Sequence, residues 1–284
     1  MKGRLSEVAA VTGGRLAGAD VAFAGESIDS RTLKPGELFF ALRGPHFDGH
    51  AFVATAAGRG AAAAIVEKVV EARIPQVVVK DAVAALAALA RDWRGRSGAT
   101  VIGVGGSNGK TTTKELLASI LAGAGPTLAT RGNLNNHLGV PLTLLRLEPG
   151  HRFAAIEMGA NHPGEIAALA AIARPAVGLV TNAGDEHLEG FGDLAGVARA
   201  EGEMFAALTD AGIAVINADD PFYGLWQEMA GAARQVRFGI ESSSEVRATG
   251  LQGRIESGAF VTAFTPEIGD GQARKLFEME NNLR

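Results

Sequence analysis

Lys110 and Thr111 close a run of glycines in VIGVGGSNGKTTTKELLASIL, residues 101–121, and these residue types in this order suit phosphate chemistry. Glycines let backbone N–H groups approach an anion, and a helix beginning at the turn adds partial positive charge. A lysine there can reach the β- and γ-phosphates of a nucleotide, and a threonine hydroxyl can meet magnesium. The spacing departs from the common phosphate loop, G-x-x-x-x-G-K-[ST], which requires glycine where this chain has Val104. Before Gly109 the available glycines are Gly103, Gly105 and Gly106. Two readings stand: a nucleotide site with a shorter loop, or an ordinary glycine turn with an exposed lysine.

Other residues could serve the same chemistry. Glu157 ends the apolar run FAAIEM. A lone carboxylate closing a buried strand is costly unless it meets a cation, which beside a phosphate loop would be magnesium; a strand-end glutamate facing solvent is the alternative. His187 lies in DEHLEGFG after another apolar run, where a neutral imidazole can ligate a metal or simply be a loop ring. Asn135, Asn136 and Asn217 are candidates for contacts to a nucleotide or acyl chain, with turn chemistry as the alternative. Ser30 and Arg31, in DSR, could grip a diphosphate, because the forked donors of arginine match phosphate oxygens.

These residues need a scaffold, and the patterning supplies one. From about residue 99, the runs TVIGVG, FAAIEM, AVGLVTN and GIAVIN read as strands without polar alternation. Helices between them are expected to begin near Lys110, Pro163, Asp193 and Pro221. Apolar strands alternating with helices predict a parallel sheet covered on both faces, with ligands at the carboxyl ends of the strands. Residues 1–80 read as short strands and one helix, with Pro35 and Gly36 at the centre of a type II turn. Asp81 is expected to cap a helix running to about Trp93, and RGRSGA to end it. The fold class is therefore α/β: a small N-terminal domain (1–80), a connecting helix and linker (81–97), and a mostly parallel-sheet, P-loop ATPase-like central domain (98–284). After about Glu245 the pattern weakens into short strands, for which an antiparallel pairing is one reading.

The 284 residues are 47% hydrophobic and 20% charged, with a formal charge of −4 and no cysteine. That composition is globular and offers no basic surface for nucleic acid. It removes disulfides, thiolate zinc sites and a cysteine nucleophile, and fits a reducing compartment. Ser6 and Glu7 interrupt any signal-peptide core, and AVAALAALA is too short for the roughly 20 residues of a membrane span. A cytoplasmic protein with no membrane partner, acting as a monomer, is the expectation.

GSNGKTTTKELLASIL resembles the G-T-N-G-K-T loop of the Mur ligases and folylpolyglutamate synthetases, in which two residues separate the two glycines. The aligned first glycine is Gly106. Three further stretches resemble the MurF type of the Mur ligase family: TRGNLNNHLGVPLTLLRL, AAIEMGANHPGEIAALAAIARPAVGLVTNAGDEHLEGFG and INADDP. DSRTLKPGELFFALRGPHFDGHAF is similar to that family's uridine-nucleotide domain. The resemblance implies an ATP- and magnesium-dependent ligase joining D-alanyl-D-alanine to UDP-N-acetylmuramoyl-tripeptide. It assigns nucleotide contacts to Gly106, Ser107, Asn108, Gly109, Lys110, Thr111 and Thr112, with Asn136 and Asn217. It gives Thr111, Glu157 and His187 to magnesium, and Ser30 and Arg31 to the UDP-sugar.

Two departures from that family accompany the match. Where the family has a lysine that becomes a carbamate, this chain has Glu201, in VARAEGEMF. Glu201 carries the charge without modification but is shorter, so a bridging water or a solvated helical residue are its alternatives. The family's third domain and the arginine-histidine-asparagine signature before it are not found in the sequence. A folylpolyglutamate synthetase-like ligase and a noncatalytic nucleotide-binding module are the competing functions.

Overall fold

Apolar runs of strand length alternate with helices from Thr100 onward, and in a computed structural model of the chain they form a single sheet. The structure describes residues 1–185, 188–256 and 259–269. The sheet has eight strands, in the order Thr127–Ala129, Phe153–Glu157, Thr100–Gly105, Val177–Val180, Ile213–Asn217, Arg234–Gly239, Val246–Glu256 and Ala259–Ile268. Parallel pairing joins Thr100–Gly105 to Val177–Val180, with Ile102 opposite Val177, and continues through Ile213–Asn217 and Arg234–Gly239 to Val246–Glu256. The last two strands, Val246–Glu256 and Ala259–Ile268, pair antiparallel. Every residue from Val101 to Gly105 is buried, as a strand covered on both faces must be.

Packing divides the chain into two units. One contains Met1–Val101, Lys114–Met158 and Ala168–Ala173; the other contains Ile102–Thr113, Gly159–Ala167 and the described residues from Arg174 onward.

In the first unit a five-stranded sheet runs Arg15–Ala17, Gln76–Val78, Ala63–Val66, Leu38–Phe40, Glu26–Ser27. Arg15–Ala17 is antiparallel to its neighbour and the others are parallel. Pro35 and Gly36 form the expected turn: the Glu37 amide donates to the Lys34 carbonyl at 3.2 Å, and Gly36 has φ +85°. Leu33, Phe39, Ala41, Val53, Ala56 and Val66 form a core around this sheet. The helix Ala82–Gly95 starts where Asp81 accepts from the amides of Val83 and Ala84. It buries Ala82, Ala85, Leu86, Leu89 and Ala90, the i, i+3, i+4 face of an amphipathic helix.

Several boundaries differ from the sequence reading. The helix expected near Pro163 begins at Glu165, because Pro163–Gly164 turns first and the Glu165 carboxylate accepts from the amides of Asn161 and His162. The helix expected near Pro221 begins at Tyr223, after Asp220 accepts from the Phe222 amide. The C-terminal antiparallel pair spans 11 and 10 residues, longer than the short strands expected. Arg234–Gly239 is a strand that sequence reading did not mark, since its arginines break the apolar run. No helix among the described residues is long and apolar enough to cross a membrane.

Candidate nucleotide and uridine sites

The loop after Thr100–Gly105 is built from backbone groups that are fastened by side chains from far along the chain. Gly106 has φ +112°, and a Cβ there would lie 2.1 Å from Thr181 Oγ1, so glycine is required. The Ser107 amide donates to the Asn182 carbonyl at 2.9 Å, and the Asn108 amide donates to Asn182 Oδ1 at 3.1 Å. The Asn108 carbonyl accepts from Thr181 Oγ1 at 2.7 Å and Asn182 Nδ2 at 3.0 Å. Ser107 Oγ accepts from the Gly184 amide at 2.8 Å. Lys110 folds back over the loop, with Nζ donating to the carbonyls of Gly106 and, at 2.7 Å, Ser107. Thr111 and Thr112 are exposed in the first turn of the helix Lys110–Ala124.

Thr181, Asn182 and Gly184 were missed as loop residues. They follow an apolar strand as TNAG, and nothing in their spacing says which loop they reach.

Glu201 lies on the helix Leu194–Ala206, which Asp193 caps through the Gly196 amide. Its side chain is turned inward, with the residue only 7% exposed, so the solvated-helix alternative is corrected. Its Oε2 accepts from the Gly106 amide at 2.6 Å. A carboxylate-to-amide bond of this kind is charge-assisted and strong in a buried setting. The charge foreseen at this position is bonded to the first glycine of the loop.

Glu157 is 1% exposed and closes its strand, as the sequence indicated. Its Oε1 accepts from Asn135 Nδ2 at 2.9 Å, and its amide donates to Thr130 Oγ1 at 3.0 Å. The Thr130 carbonyl in turn accepts from the fully buried Lys114 at 2.8 Å, and Lys114 also pairs with Glu115. Lys114 and Thr130 were missed too. A lysine one turn beyond Lys110 reads as a solvated helical charge until packing covers it.

Asn136 and Asn217 hold scaffold positions. Asn136 Oδ1 accepts from the amides of Leu138 and Gly139, where the helix Gly139–Leu145 starts. Asn217 Nδ2 donates to the Thr181 carbonyl at 2.9 Å, and its Oδ1 accepts from the Asp219 amide. Asp219 ties down the turn at Ile240–Ser242. Burial pushes its pKa up, but the amides of Ile240, Ser242 and Glu241 and the Ser242 hydroxyl overcome that and hold it at about 2. His187 lies outside the described residues. Among the described residues, no three His, Asp or Glu side chains converge on a metal position. Taken singly, the Thr111 hydroxyl and the Glu157 carboxylate are hard oxygens of the kind that suits magnesium, which keeps several waters and relies on substrate phosphates.

Ser30 and Arg31 stand on the wall of a hollow of about 530 Å³ with Ile28, Phe39, Phe47 and Phe52. Ser30 is buried, whereas the Arg31 guanidinium reaches solvent and clasps Asp29 at 2.7 and 2.9 Å. Hydrogen bonds from Arg31 lower the Asp29 pKa to about 2. Phe47 and Phe52 are 56% and 44% exposed, so two rings on the wall of the hollow are open to solvent.

Comparison with known proteins adds a second line to this geometry. A profile of the Mur ligase middle domain matches residues 104–274, and one of the Mur ligase family catalytic domain matches residues 22–94. The UDP-N-acetylmuramoyl-tripeptide–D-alanyl-D-alanine ligase of Escherichia coli (strain K12) is 45% identical over 248 residues, covering 87% of this chain and 55% of that protein. The chain spans about half the length of the curated relatives it matches. The crystal structure of MurF from Acinetobacter baumannii aligns over 100% of this chain and 63% of its own, with a TM-score of 0.85 and 34% identity. The MurF ligase from Thermotoga maritima in complex with ADP aligns over 91% of this chain and 61% of its own, with a TM-score of 0.74 and 32% identity.

Proposed function

The chain belongs to the Mur ligase family, and on that premise we propose that it supplies the substrate- and ATP-binding portion of a ligase joining D-alanyl-D-alanine to UDP-N-acetylmuramoyl-tripeptide. The observation that carries the proposal is the phosphate loop: Lys110 and a helix N-terminus on a turn whose first three amides are already bonded to Glu201 and Asn182. The amides of the helix's first turn then face the nucleotide, where they meet its phosphates with the positive end of the helix.

Amide formation in water is uphill, so the tripeptide's terminal carboxylate is first activated. A carboxylate oxygen attacks the γ-phosphorus of ATP, and the bond to the β-phosphate oxygen breaks, giving an acyl phosphate and ADP. The dipeptide's amine attacks the acyl carbon, loses a proton, and the tetrahedral intermediate expels inorganic phosphate. No protein nucleophile takes part. This chain's contribution is position and charge. Lys110 leaves its loop carbonyls for the phosphoryl oxygens, while Glu201 and Asn182 keep the turn in shape. Thr111, Glu157 and His187 are the residues assigned to magnesium, which when bound neutralises charge on the phosphates. Glu201 provides the carboxylate that the family draws from a carbamylated lysine, acting through the amide it holds.

Residues 1–80 form the UDP-sugar domain in this reading, with the base against Phe47 and Phe52 and the diphosphate near Ser30 and Arg31. Residues 98–284 form the ATP domain. ATP and a UDP-sugar as substrates assign the reaction to the cytoplasm. A noncatalytic module that binds both nucleotides is the second reading. Phosphate release with ATP, UDP-N-acetylmuramoyl-tripeptide and D-alanyl-D-alanine, for this chain and for one extended by a family third domain, separates them. Release from the extended chain supports the ligase. ATP and UDP-sugar binding without release in either supports the module, and no ATP binding by calorimetry overturns both.

A further inference from the structure

A second and larger cavity, about 840 Å³, opens elsewhere in the first unit, and its wall is richer in cations than in available anions. Arg131 and Arg146 line it, together with Lys2, Lys34 and His151. Arg146 Nη1 is buried with no hydrogen-bond partner. A buried guanidinium N–H without an acceptor is costly, and in native proteins such a group calls for an explanation. The nearby carboxylates do not provide one. Glu26 is bonded to the Met1 ammonium at 3.1 Å, and Glu37 accepts from the Lys34 amide at 2.8 Å. Glu148 is exposed. His151 accepts from the Glu148 amide through Nδ1 at 2.9 Å, so a neutral ring carries its proton on Nε2, as a donor. Burial and the adjacent positive charge of Arg131 both lower the pKa of Arg146, and Glu26 offsets them only in part.

The end of the helix Gly139–Leu145 favours one cation at Arg146, but it does not account for a second arginine on the same wall. We infer that this cavity is a binding site for an oxyanion-bearing small molecule, its phosphate or carboxylate held by Arg146 and Arg131. Arginine presents paired donors that match either group, and the volume admits a metabolite rather than an ion alone. The site is distinct from the phosphate loop and from the aromatic hollow at Ser30, and none of their residues line it.

Trp93 makes the test direct. It lines the cavity with Nε1 donating to the Leu147 carbonyl at 2.9 Å, whereas the other tryptophan, Trp226, is fully buried on Ala198. Inorganic phosphate and, separately, citrate are titrated into the full chain while tryptophan emission and thermal midpoint are followed. A saturable emission change with a raised midpoint is expected for at least one anion. Phosphate alone assigns a phosphorylated ligand, citrate alone a carboxylate, and both an oxyanion of either kind. Arg146→Gln and Arg131→Ala should each weaken the emission response by at least about tenfold, and Lys110→Ala, whose loop lies outside the cavity, should leave the emission response as it was. If Arg146→Gln does not fold by circular dichroism, the exposed Arg131 decides. No saturable change with either anion, equal affinity in the arginine variants, or loss in Lys110→Ala overturns the inference.

Discussion

The phosphate loop and the hollow at Ser30 would both meet nucleotides, yet they are built on opposite principles. The loop is almost entirely backbone, and its shape depends on polar side chains reaching in from Glu201, Thr181 and Asn182. The hollow is mostly aromatic and apolar side chain, with a single exposed ion pair at Asp29 and Arg31. Phosphates demand directed N–H groups, which only a fixed backbone supplies. A flat base demands area, which rings supply without exact hydrogen-bond geometry. The loop should therefore fail sharply when one anchor is lost, and the hollow gradually.

The largest effect should come from Gly106→Ala. The added methyl meets Thr181 at a positive φ, and strain plus overpacking should cost about 3 kcal/mol, read as a lowered thermal midpoint and lost ATP binding. Lys110→Ala should weaken ATP binding by about 1.5–3 kcal/mol through one lost charge-assisted contact, with the fold retained by circular dichroism. Unchanged ATP affinity by calorimetry would remove the nucleotide reading.

Glu201→Ala leaves the Gly106 amide buried without its acceptor, which should destabilise the protein by about 1–3 kcal/mol in urea unfolding. Glu201→Gln keeps an acceptor and should recover part of that loss. Equal stability of the alanine variant would break the contrast between the regions. In the hollow, Phe47→Ala should weaken UDP-sugar binding by only about 1 kcal/mol and leave ATP affinity as it was.

The smallest effect is one of pH. Asp219 in the loop's unit and Asp29 at the hollow each have a folded pKa of about 2 against an ordinary 3.8. A depressed carboxylate pKa adds stability above the ordinary value, and that stability is lost as pH falls from 3.8 toward about 2. Asp219→Asn and Asp29→Asn should each flatten the stability profile in that window. Asp219 is exposed and Asp29 partly so, and solvent screening keeps the changes small.

What the sequence made legible was local. The turn at Pro35–Gly36, the Asp81 cap and the four apolar strands follow from torsional preference, a side-chain oxygen beside N–H groups, and continuous burial. The glycine turn between strand and helix was legible because glycines, lysine and threonine are contiguous. Its anchors were not, since Asn182 and Glu201 lie 74 and 95 residues away from the amides they hold. Lys114 and Arg146 have the side chains of surface residues and become informative only once packing covers them. Asn136 and Asn217 carry the residue type of a ligand contact, and the turns use their side-chain oxygens.

The remoteness of those anchors also has a history in time. Thr100–Gly105 pairs with Val177–Val180 only after a long segment has been made and folded between them. Closing such a distance is entropically costly, and parallel pairings across it form slowly. On a growing chain, the glycine turn emerges early and stays unfastened until the helix bearing Glu201 has docked. Affinity for ATP should then be among the last properties that a newly made chain acquires, rising with the slow phase of refolding rather than with its early burst of helix.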